Sequence, residues 1–335
     1  MIENNGQSEV SVTSVRKPSQ LRGLVIFLVI SIGIIVGIYF LSPMIPSISR
    51  APSGEIYMTL LSNDRSHSGV FVYDFEDNNL TPYLFDEDDR TAYVASSLSP
   101  DGGRVAYSRP IRGGSQMVVK DIASGRELVI QGTPEIFSRR NPTWSPDGNL
   151  LVYQTRKDAA GGVVNPDGWY IYAYNLLAQQ ERYVVDGFGP TFAPTGELFF
   201  LRRDGLYKYS FGDLENGQKI WSMENGVAQA NMMIDVSPNG KKIAWSLPDD
   251  GKLMVINILS MNPLNLEVDN QLDARGFWPI FSPDSSFLGF QEVDWNSGIP
   301  TNPRLIYFNL RNYRKTLVLD LKDYVQTSMF VTDWR

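Results

Sequence analysis

The chain has 335 residues, of which 43% are hydrophobic and 12% aromatic, enough for a packed core and too many for general disorder. Its 37 acidic residues outnumber 30 basic ones, giving a net charge of −7. This composition argues against nucleic-acid binding, because neutralising phosphates requires basic clusters. The absence of cysteine excludes disulfides, thiolate metal sites and thiol catalysis.

The first predicted element is a transmembrane helix over 23–41. Residues 24–41 read LVIFLVISIGIIVGIYFL, without a charge. At ~1.5 Å per residue this run spans about 27 Å, close to the ~30 Å hydrocarbon core of a bilayer. A cleaved signal peptide is the alternative, but its apolar region usually has only ~7–15 residues, and no A-x-A-like cleavage site follows here.

Flanking residues predict how this helix is oriented. Arg16, Lys17 and Arg22 precede it, whereas only Arg50 follows soon after, so the N-terminal side is expected in the cytoplasm. Residues 1–22 then form a disordered cytoplasmic tail, and the Pro/Ser-rich stretch 42–53 forms a stiff linker. The rest of the chain is expected outside the cytoplasm, with the bilayer contacted through one helix.

From residue 54 onward the chain repeats itself. A turn motif recurs with its prolines 46, 48, 44 and 45 residues apart, close to the ~40–50 residues of a propeller blade. Proline sets the first central position of such a turn, and glycine supplies the positive φ that reverses the chain. The five copies are Leu98-Ser-Pro-Asp-Gly-Gly, Trp144-Ser-Pro-Asp-Gly-Asn, Phe192-Ala-Pro-Thr-Gly-Glu, Val236-Ser-Pro-Asn-Gly-Lys and Phe281-Ser-Pro-Asp-Ser-Ser.

A second repeated segment gives an independent blade count. Six predicted third strands end in a small polar or amide residue followed by an apolar one; they begin at Val72, Val119, Ala173, Lys208, Val255 and Tyr307. Six third strands against five turns leave one first strand missing, and the C-terminal residues 329–335 supply it. The pattern predicts an all-β, six-bladed β-propeller of four-stranded blades over 54–335, closed by the last strand, which removes exposed sheet edges.

The Trp/Phe-Ser-Pro-Asp-Gly turn followed by an apolar strand resembles the TolB-type subgroup of WD-like propellers. The resemblance covers 54–335 and implies the fold. Proteins of that type carry an α/β domain ahead of the propeller and are soluble in the periplasm, whereas here the linker leaves no room for such a domain and an anchor precedes it. Membership of the Tol assembly is therefore not implied.

The sequence offers no constellation typical of His- or Cys-based catalysis or of metal binding. His67 is the single histidine and no G-x-S-x-G elbow occurs, which argues against a Ser-His-acid triad and against zinc or copper. The acidic runs at 74–79 and 86–89 do not match a calcium-loop spacing. We therefore expect no cofactor and no catalytic residue. A carboxylate-pair glycosidase using Asp273 and Asp333 is the alternative, because it needs neither His nor Cys.

Binding is expected at the channel mouth, where the loops entering first strands and the loops joining second to third strands meet. These loops carry arginines and aromatic residues, the side chains enriched at interface hot spots. The candidates are Tyr93, Arg139, Arg140, Asn141, Asn231, Arg275, Trp278 and Trp295. The alternative interpretation of Trp278 is that it packs in the core between two blades. The sequence thus predicts a non-enzymatic, membrane-anchored propeller of a bacterial envelope that binds a protein, peptide or glycan.

Overall fold

A computed structural model describes twelve stretches of the chain, and the fold is that of the unit Pro52–Arg335. The described stretches are 51–61, 68–85, 94–133, 136–157, 168–212, 217–223, 233–249, 253–262, 265–268, 276–296, 299–321 and 328–335. The predicted tail, the transmembrane helix and nearly all of the linker lie outside them. No helix in these stretches is long and apolar enough to cross a bilayer.

The described residues are all-β and contain 24 strands. The strands are β1 (Glu55–Leu61), β2 (Ser68–Asp74), β3 (Asn79–Leu84), β4 (Val94–Leu98), β5 (Arg104–Ile111), β6 (Gly114–Asp121), β7 (Glu127–Val129), β8 (Ile136–Trp144), β9 (Leu150–Lys157), β10 (Tyr170–Asn175), β11 (Gln180–Asp186), β12 (Phe188–Phe192), β13 (Leu198–Arg202), β14 (Gly205–Tyr209), β15 (Gln218–Ser222), β16 (Ile234–Val236), β17 (Lys242–Asp249), β18 (Leu253–Asn262), β19 (Asn265–Val268), β20 (Phe277–Phe281), β21 (Phe287–Asn296), β22 (Ile299–Asn309), β23 (Arg314–Asp320) and β24 (Ser328–Trp334).

Hydrogen bonding arranges these described strands in five sheets. Four sheets are four-stranded, in the orders β24-β1-β2-β3, β12-β13-β14-β15, β16-β17-β18-β19 and β20-β21-β22-β23. The fifth holds two antiparallel groups, β4 to β7 and β8 to β11, joined by one parallel bridge between Ser115 and Ser138. We call the six four-stranded groups sets 1 to 6, with set 1 being β24-β1-β2-β3 and the others following in chain order.

The two ends of the described fold meet in set 1. β24 pairs antiparallel with β1, placing Trp334 opposite Ile56 and Met329 opposite Leu60. The Glu55 amide donates to the Arg335 carbonyl at 2.6 Å, and the Arg335 amide donates to the Glu55 carbonyl at 2.9 Å. Both sides of β1 are therefore paired, which leaves no open edge at this strand.

The recurring turn between first and second strands is held by a local hydrogen-bond network. In the turn after β8, the Ser145 hydroxyl donates to Asp147 at 2.5 Å and accepts the Leu150 amide at 2.9 Å. The same Asp147 oxygen accepts the Asn149 amide at 3.1 Å. Equivalent bonds occur in the turns that begin at Ser99, Ser237 and Ser282. The motif contains serine and aspartate because their short polar side chains accept hydrogen bonds from the main-chain amides of the turn.

Burial follows a gradient across each set. The first and second strands are largely buried, whereas the fourth strands, such as β3 and β15, are mostly half-buried or exposed. Six apolar clusters appear among the described residues, each built from two successive sets. The remaining cluster joins sets 6 and 1 and contains Leu305, Ile56 and Trp334. The first strands are therefore packed at the interior of the fold, where they position the candidate site.

Candidate functional site

The first strands of all six sets line one cavity of about 280 Å³. The lining residues come from β4, β8, β12, β16, β20 and β24 and from the turns that follow them. Because each set contributes its first strand, the cavity lies where the six sets converge. We call this cavity the channel.

Four first strands carry the same irregularity. Ala95, Asn141, Gly189 and Trp278 have φ values of 47°, 52°, 58° and 50°, and each lies at a register shift in the pairing of its strand with the next. Each is three residues before the last residue of its strand. A left-handed conformation is uncommon outside glycine and is an outlier for a bulky residue such as tryptophan. β-Bulges of this kind redirect side chains and occur often beside binding sites.

Two positions further along the strands, each of the six sets supplies one residue to the channel wall. In the order of sets 1 to 6 this channel ring consists of Asp333, Ser97, Thr143, Thr191, Asp235 and Ile280. The ring has two different halves. Sets 2 to 4 present hydroxyl groups, whereas sets 5, 6 and 1 present two carboxylates with an isoleucine between them.

The two carboxylates of the ring are held by main-chain amides of the following set. Asp235 accepts the amide of Phe281 at 2.7 Å, and Asp333 accepts the amide of Leu98 at 3.0 Å. Burial raises the pKa of Asp235 to about 7, with the charge of Asp333 adding to the effect and the amide bonds opposing it. Burial likewise raises the pKa of Asp333 to about 6, although Arg335 opposes the shift. Both groups therefore change charge near neutral pH.

Aromatic rings accompany the carboxylate half of the channel. Trp278 of β20 and Phe330 of β24 both line the channel, and their ring centroids are 4.4 Å apart. Both side chains remain partly exposed. Trp278 also packs against the buried cluster between sets 6 and 1, so it combines core packing with a face on the channel.

Two of the eight residues predicted from the sequence to bind a partner, Asn141 and Trp278, line the channel. Arg140 is exposed, its Nε donates to the Ser138 hydroxyl at 3.1 Å, and it is not among the lining residues. Tyr93, Asn231 and Arg275 lie outside the described residues. Trp295 lies in β21, opposite Pro300 of β22, but its side chain is outside the described part.

Arg139 is placed away from the channel, in a buried ion pair. Its side chain is 7% exposed, and that of its partner Glu181 is 3% exposed. The guanidinium donates to both Glu181 oxygens, at 2.9 and 3.2 Å, and Tyr153 and the Thr133 amide donate to the same carboxylate at 2.6 Å. Burial opposes the charge of Glu181, but these hydrogen bonds outweigh it and lower its pKa. This geometry makes Arg139 a structural residue that joins β8 to β11.

Asp235 is a channel residue that the sequence reasoning missed. The glycosidase alternative pairs Asp333 with Asp273, but Asp273 lies outside the described residues. The carboxylate that shares the channel with Asp333 in the described part is Asp235. The sequence does contain a sign of this role, because Asp235 directly precedes Val236, the apolar residue before a Ser-Pro turn. Aligning the five turns and the C-terminus at that position yields the whole channel ring.

The Arg139 pair predicts a large difference between two neighbouring arginines. Arg139→Ala leaves the Glu181 carboxylate buried without its cation and should lower the free energy of unfolding by about 3–5 kcal/mol. Arg140→Ala, at the exposed neighbouring position, should change it by less than about 0.5 kcal/mol. Denaturant unfolding of both variants measures the difference; equal losses would contradict the structural role of Arg139.

The raised pKa of Asp235 predicts a pH-dependent stabilisation by Asp235→Asn. Folded Asp235 keeps its proton up to about pH 7, whereas an unfolded aspartate loses it near 3.9, so its ionisation destabilises the fold progressively as pH rises from about 4 to 7. The variant carries no charge and should therefore gain about 1–3 kcal/mol over the wild type at pH 8 and nothing at pH 4.

Unfolding measured across this pH range checks the sign, with the exposed Asp77→Asn as the matched control. Asp77→Asn should show no such rise. A stability difference for Asp235→Asn that is the same at pH 4 and pH 8 would contradict the raised pKa of Asp235.

Comparison with known proteins identifies the fold. Neither a family model nor a curated protein matches the chain. TolB from Acinetobacter baumannii aligns with a TM-score of 0.59 and 18% identity, over 83% of this chain and 65% of that protein. A protein from Agrobacterium tumefaciens assigned as TolB aligns with a TM-score of 0.52 and 14% identity, over 80% of this chain and 90% of that one.

An oligogalacturonate lyase in complex with manganese also aligns, with a TM-score of 0.51 and 15% identity, over 76% of this chain and 71% of the lyase. The chain thus spans slightly less than two thirds of the Acinetobacter TolB. At these identities the likeness shows the fold alone. The described part of the chain has a TolB-like β-propeller fold.

Proposed function

We propose that this chain is a non-enzymatic binding protein held at the cell membrane of a bacterium, with a six-bladed propeller outside the cytoplasm. Its partner, a protein, peptide or glycan, binds at the mouth of the channel. The observation that carries the proposal is the channel itself, into which the bulged residues Trp278 and Asn141 are turned.

Six blades are supported by the packing between the sets. Each of the six sets corresponds to one blade, and each apolar cluster fills the space between two successive blades. The cluster between sets 6 and 1 is what a closed ring of six requires. In this ring β24 and β1 close the first blade from the two ends of the domain.

The proposed location of the propeller outside the cytoplasm rests on the sequence. The uncharged run 24–41 is long enough for a membrane-spanning helix, and the basic residues before it favour a cytoplasmic N-terminus. In this arrangement 1–22 is a cytoplasmic tail, 42–53 is the linker, and the propeller projects from the opposite side of the bilayer.

The chemistry of the channel favours binding. A concave site with aromatic side chains and a few convergent polar groups is the usual form of a ligand pocket. Here Trp278 and Phe330 supply the aromatic surface, and Asn141 and the hydroxyls of the channel ring supply the polar groups. A tryptophan held at φ 50° costs folding energy, and strain of this kind is retained most often at functional sites.

One observation favours a second candidate, a carboxylate-based hydrolase acting on sugars outside the cell. Asp235 and Asp333 share the channel, and burial raises the pKa of both. A raised pKa suits a general acid, and glycosidases use such carboxylate pairs. The binding function ranks first because both carboxylates already accept amide hydrogen bonds between neighbouring blades, which gives each a structural role.

Capture from intact cells tests the proposal. Cells expressing the full chain with a tag on the N-terminal tail are treated with a membrane-impermeant crosslinker, and the tagged chain is purified. We expect a crosslinked partner from the wild type and at least a fivefold smaller yield from Trp278→Ala and from Asn141→Ala. Leu177→Ala, at a position that is 81% exposed between β10 and β11 and is not among the lining residues, should leave the yield unchanged.

Melting temperatures of the purified variants separate lost binding from lost folding, because Trp278 also packs in the core and Asn141 is only half-buried. An unchanged yield from both channel variants would contradict binding at the channel. Turnover of an oligosaccharide that is abolished by Asp235→Asn or Asp333→Asn would establish the hydrolase instead.

A further inference from the structure

We infer that the channel binds an organic cation, the ammonium or guanidinium group of a lysine or arginine side chain from a peptide, between the Trp278–Phe330 pair and the carboxylates of Asp235 and Asp333. The inference rests on the proposed binding function and specifies the class of its ligand. The supporting observation is that charged and aromatic residues lie on the same half of the channel wall.

The charged groups that line the channel are Asp235, Asp333 and Arg335. Arg335 lies 3.8 Å from Asp333, but its guanidinium donates to the carbonyls of Leu98 and Ser99 at 2.8 and 2.7 Å. That cation is thus held at the turn after β4 by main-chain oxygens. Within the described lining, Asp235 has no cationic partner, so the wall carries unbalanced negative charge when both carboxyls are ionised.

The negative charge and the aromatic surface lie on the same half of the channel. Asp235 and Asp333 belong to sets 5 and 1, on either side of Ile280 in set 6. Trp278 precedes Ile280 on β20, and Phe330 precedes Asp333 on β24. A cation in this half of the channel would lie among aromatic side chains and two carboxylates, and both kinds of group attract organic cations, most strongly when water is excluded.

The donor set fits an organic cation better than a metal ion. Calcium prefers six to eight oxygen ligands. No group of three or more acidic or histidine side chains suited to a metal occurs in the described part of the chain. One oxygen of each carboxylate is already engaged with an amide. Ile280 lies between the two carboxylates in the channel ring, and the next oxygens along the ring are the neutral hydroxyls of Ser97 and Thr191. A cation with an alkyl stem satisfies both the charge and the apolar surface.

The size of the channel favours a side chain from a peptide over an oligosaccharide. Ligand pockets usually measure about 300–1,000 Å³, and the channel, at about 280 Å³, lies just below that range. It accommodates one long side chain more readily than several sugar rings. A neutral sugar would also leave the charged carboxylates uncompensated, which is costly in a partly enclosed site.

Matched peptides test the inference. Acetyl-Gly-Ser-Arg-Ser-Gly-amide and the same peptide with citrulline in place of arginine differ only in the charged group. Isothermal titration of the full chain in nanodiscs at pH 8 should show at least tenfold tighter binding of the arginine peptide. Asp235→Asn and Asp333→Asn should each reduce that affinity at least fivefold, whereas Asp77→Asn, at an exposed site, should not.

Two further comparisons sharpen this test. Trp278→Leu keeps an apolar side chain but removes the aromatic face, and should weaken the arginine peptide more than the citrulline peptide. Lowering the pH from 8 to 5.5 should weaken the arginine peptide severalfold, because protonation of Asp235 and Asp333 removes the attracting charge. Butylammonium, a free amine, is titrated alongside and should bind more weakly than the arginine peptide; tighter binding of butylammonium would overturn the assignment of the cation to a peptide.

Each alternative outcome is informative. Equal affinity for the arginine and citrulline peptides would leave channel binding intact and overturn the cation inference. Calcium binding that is lost in Asp235→Asn, or binding of a neutral oligosaccharide in place of either peptide, would also overturn it. If neither peptide binds while partner capture in cells still depends on Trp278 and Asn141, the proposed function stands and the inference falls.

Discussion

The pairing of β24 with β1 is the interaction on which the rest of the described structure depends. It brings together residues about 280 positions apart in the sequence, as in the hydrogen bond from the Trp334 indole to the Ser53 carbonyl. Closing so long a segment costs chain entropy, which the buried cluster between sets 6 and 1 offsets. Without β24, set 1 would lose its first strand, β1 would become an open edge, and the channel would lose the wall that carries Phe330 and Asp333.

The first strands of the sets both pack the interior of the fold and line the channel. The conformations and charges found at the channel are not those that best stabilise the fold. Bulges at Ala95, Asn141 and Trp278 place non-glycine residues in a left-handed conformation, and desolvation raises the pKa values of two half-buried carboxylates. The left-handed conformation and the desolvation of an ionised carboxylate both cost free energy, and the amide hydrogen bonds to Asp235 and Asp333 offset the second cost only in part. The buried pair of Arg139 and Glu181 shows the contrasting case, because each of those charges is fully compensated by its neighbours. Incompletely compensated charge therefore occurs at the channel and not at the Arg139–Glu181 pair.

Local chemistry explains what was readable from the sequence. The serine–aspartate turn bonds involve residues two to five positions apart, so their composition repeats visibly, and the all-β, TolB-like fold predicted from them is confirmed. The pairing of Arg139 with Glu181 was not readable, because Glu181 is 42 residues away on a different strand. Asp235 was missed because its place depends on how six first strands converge. The membrane-spanning helix stays a prediction from hydropathy.

Photo-crosslinking from within the channel tests the central claim most directly. A photoreactive amino acid replaces either Trp278, on the channel wall, or Leu177, whose side chain is 81% exposed. If the channel is the binding site, irradiation of intact cells should crosslink a partner from position 278 and not from position 177, and excess arginine peptide should suppress the product. A partner crosslinked from position 177 alone would contradict the account.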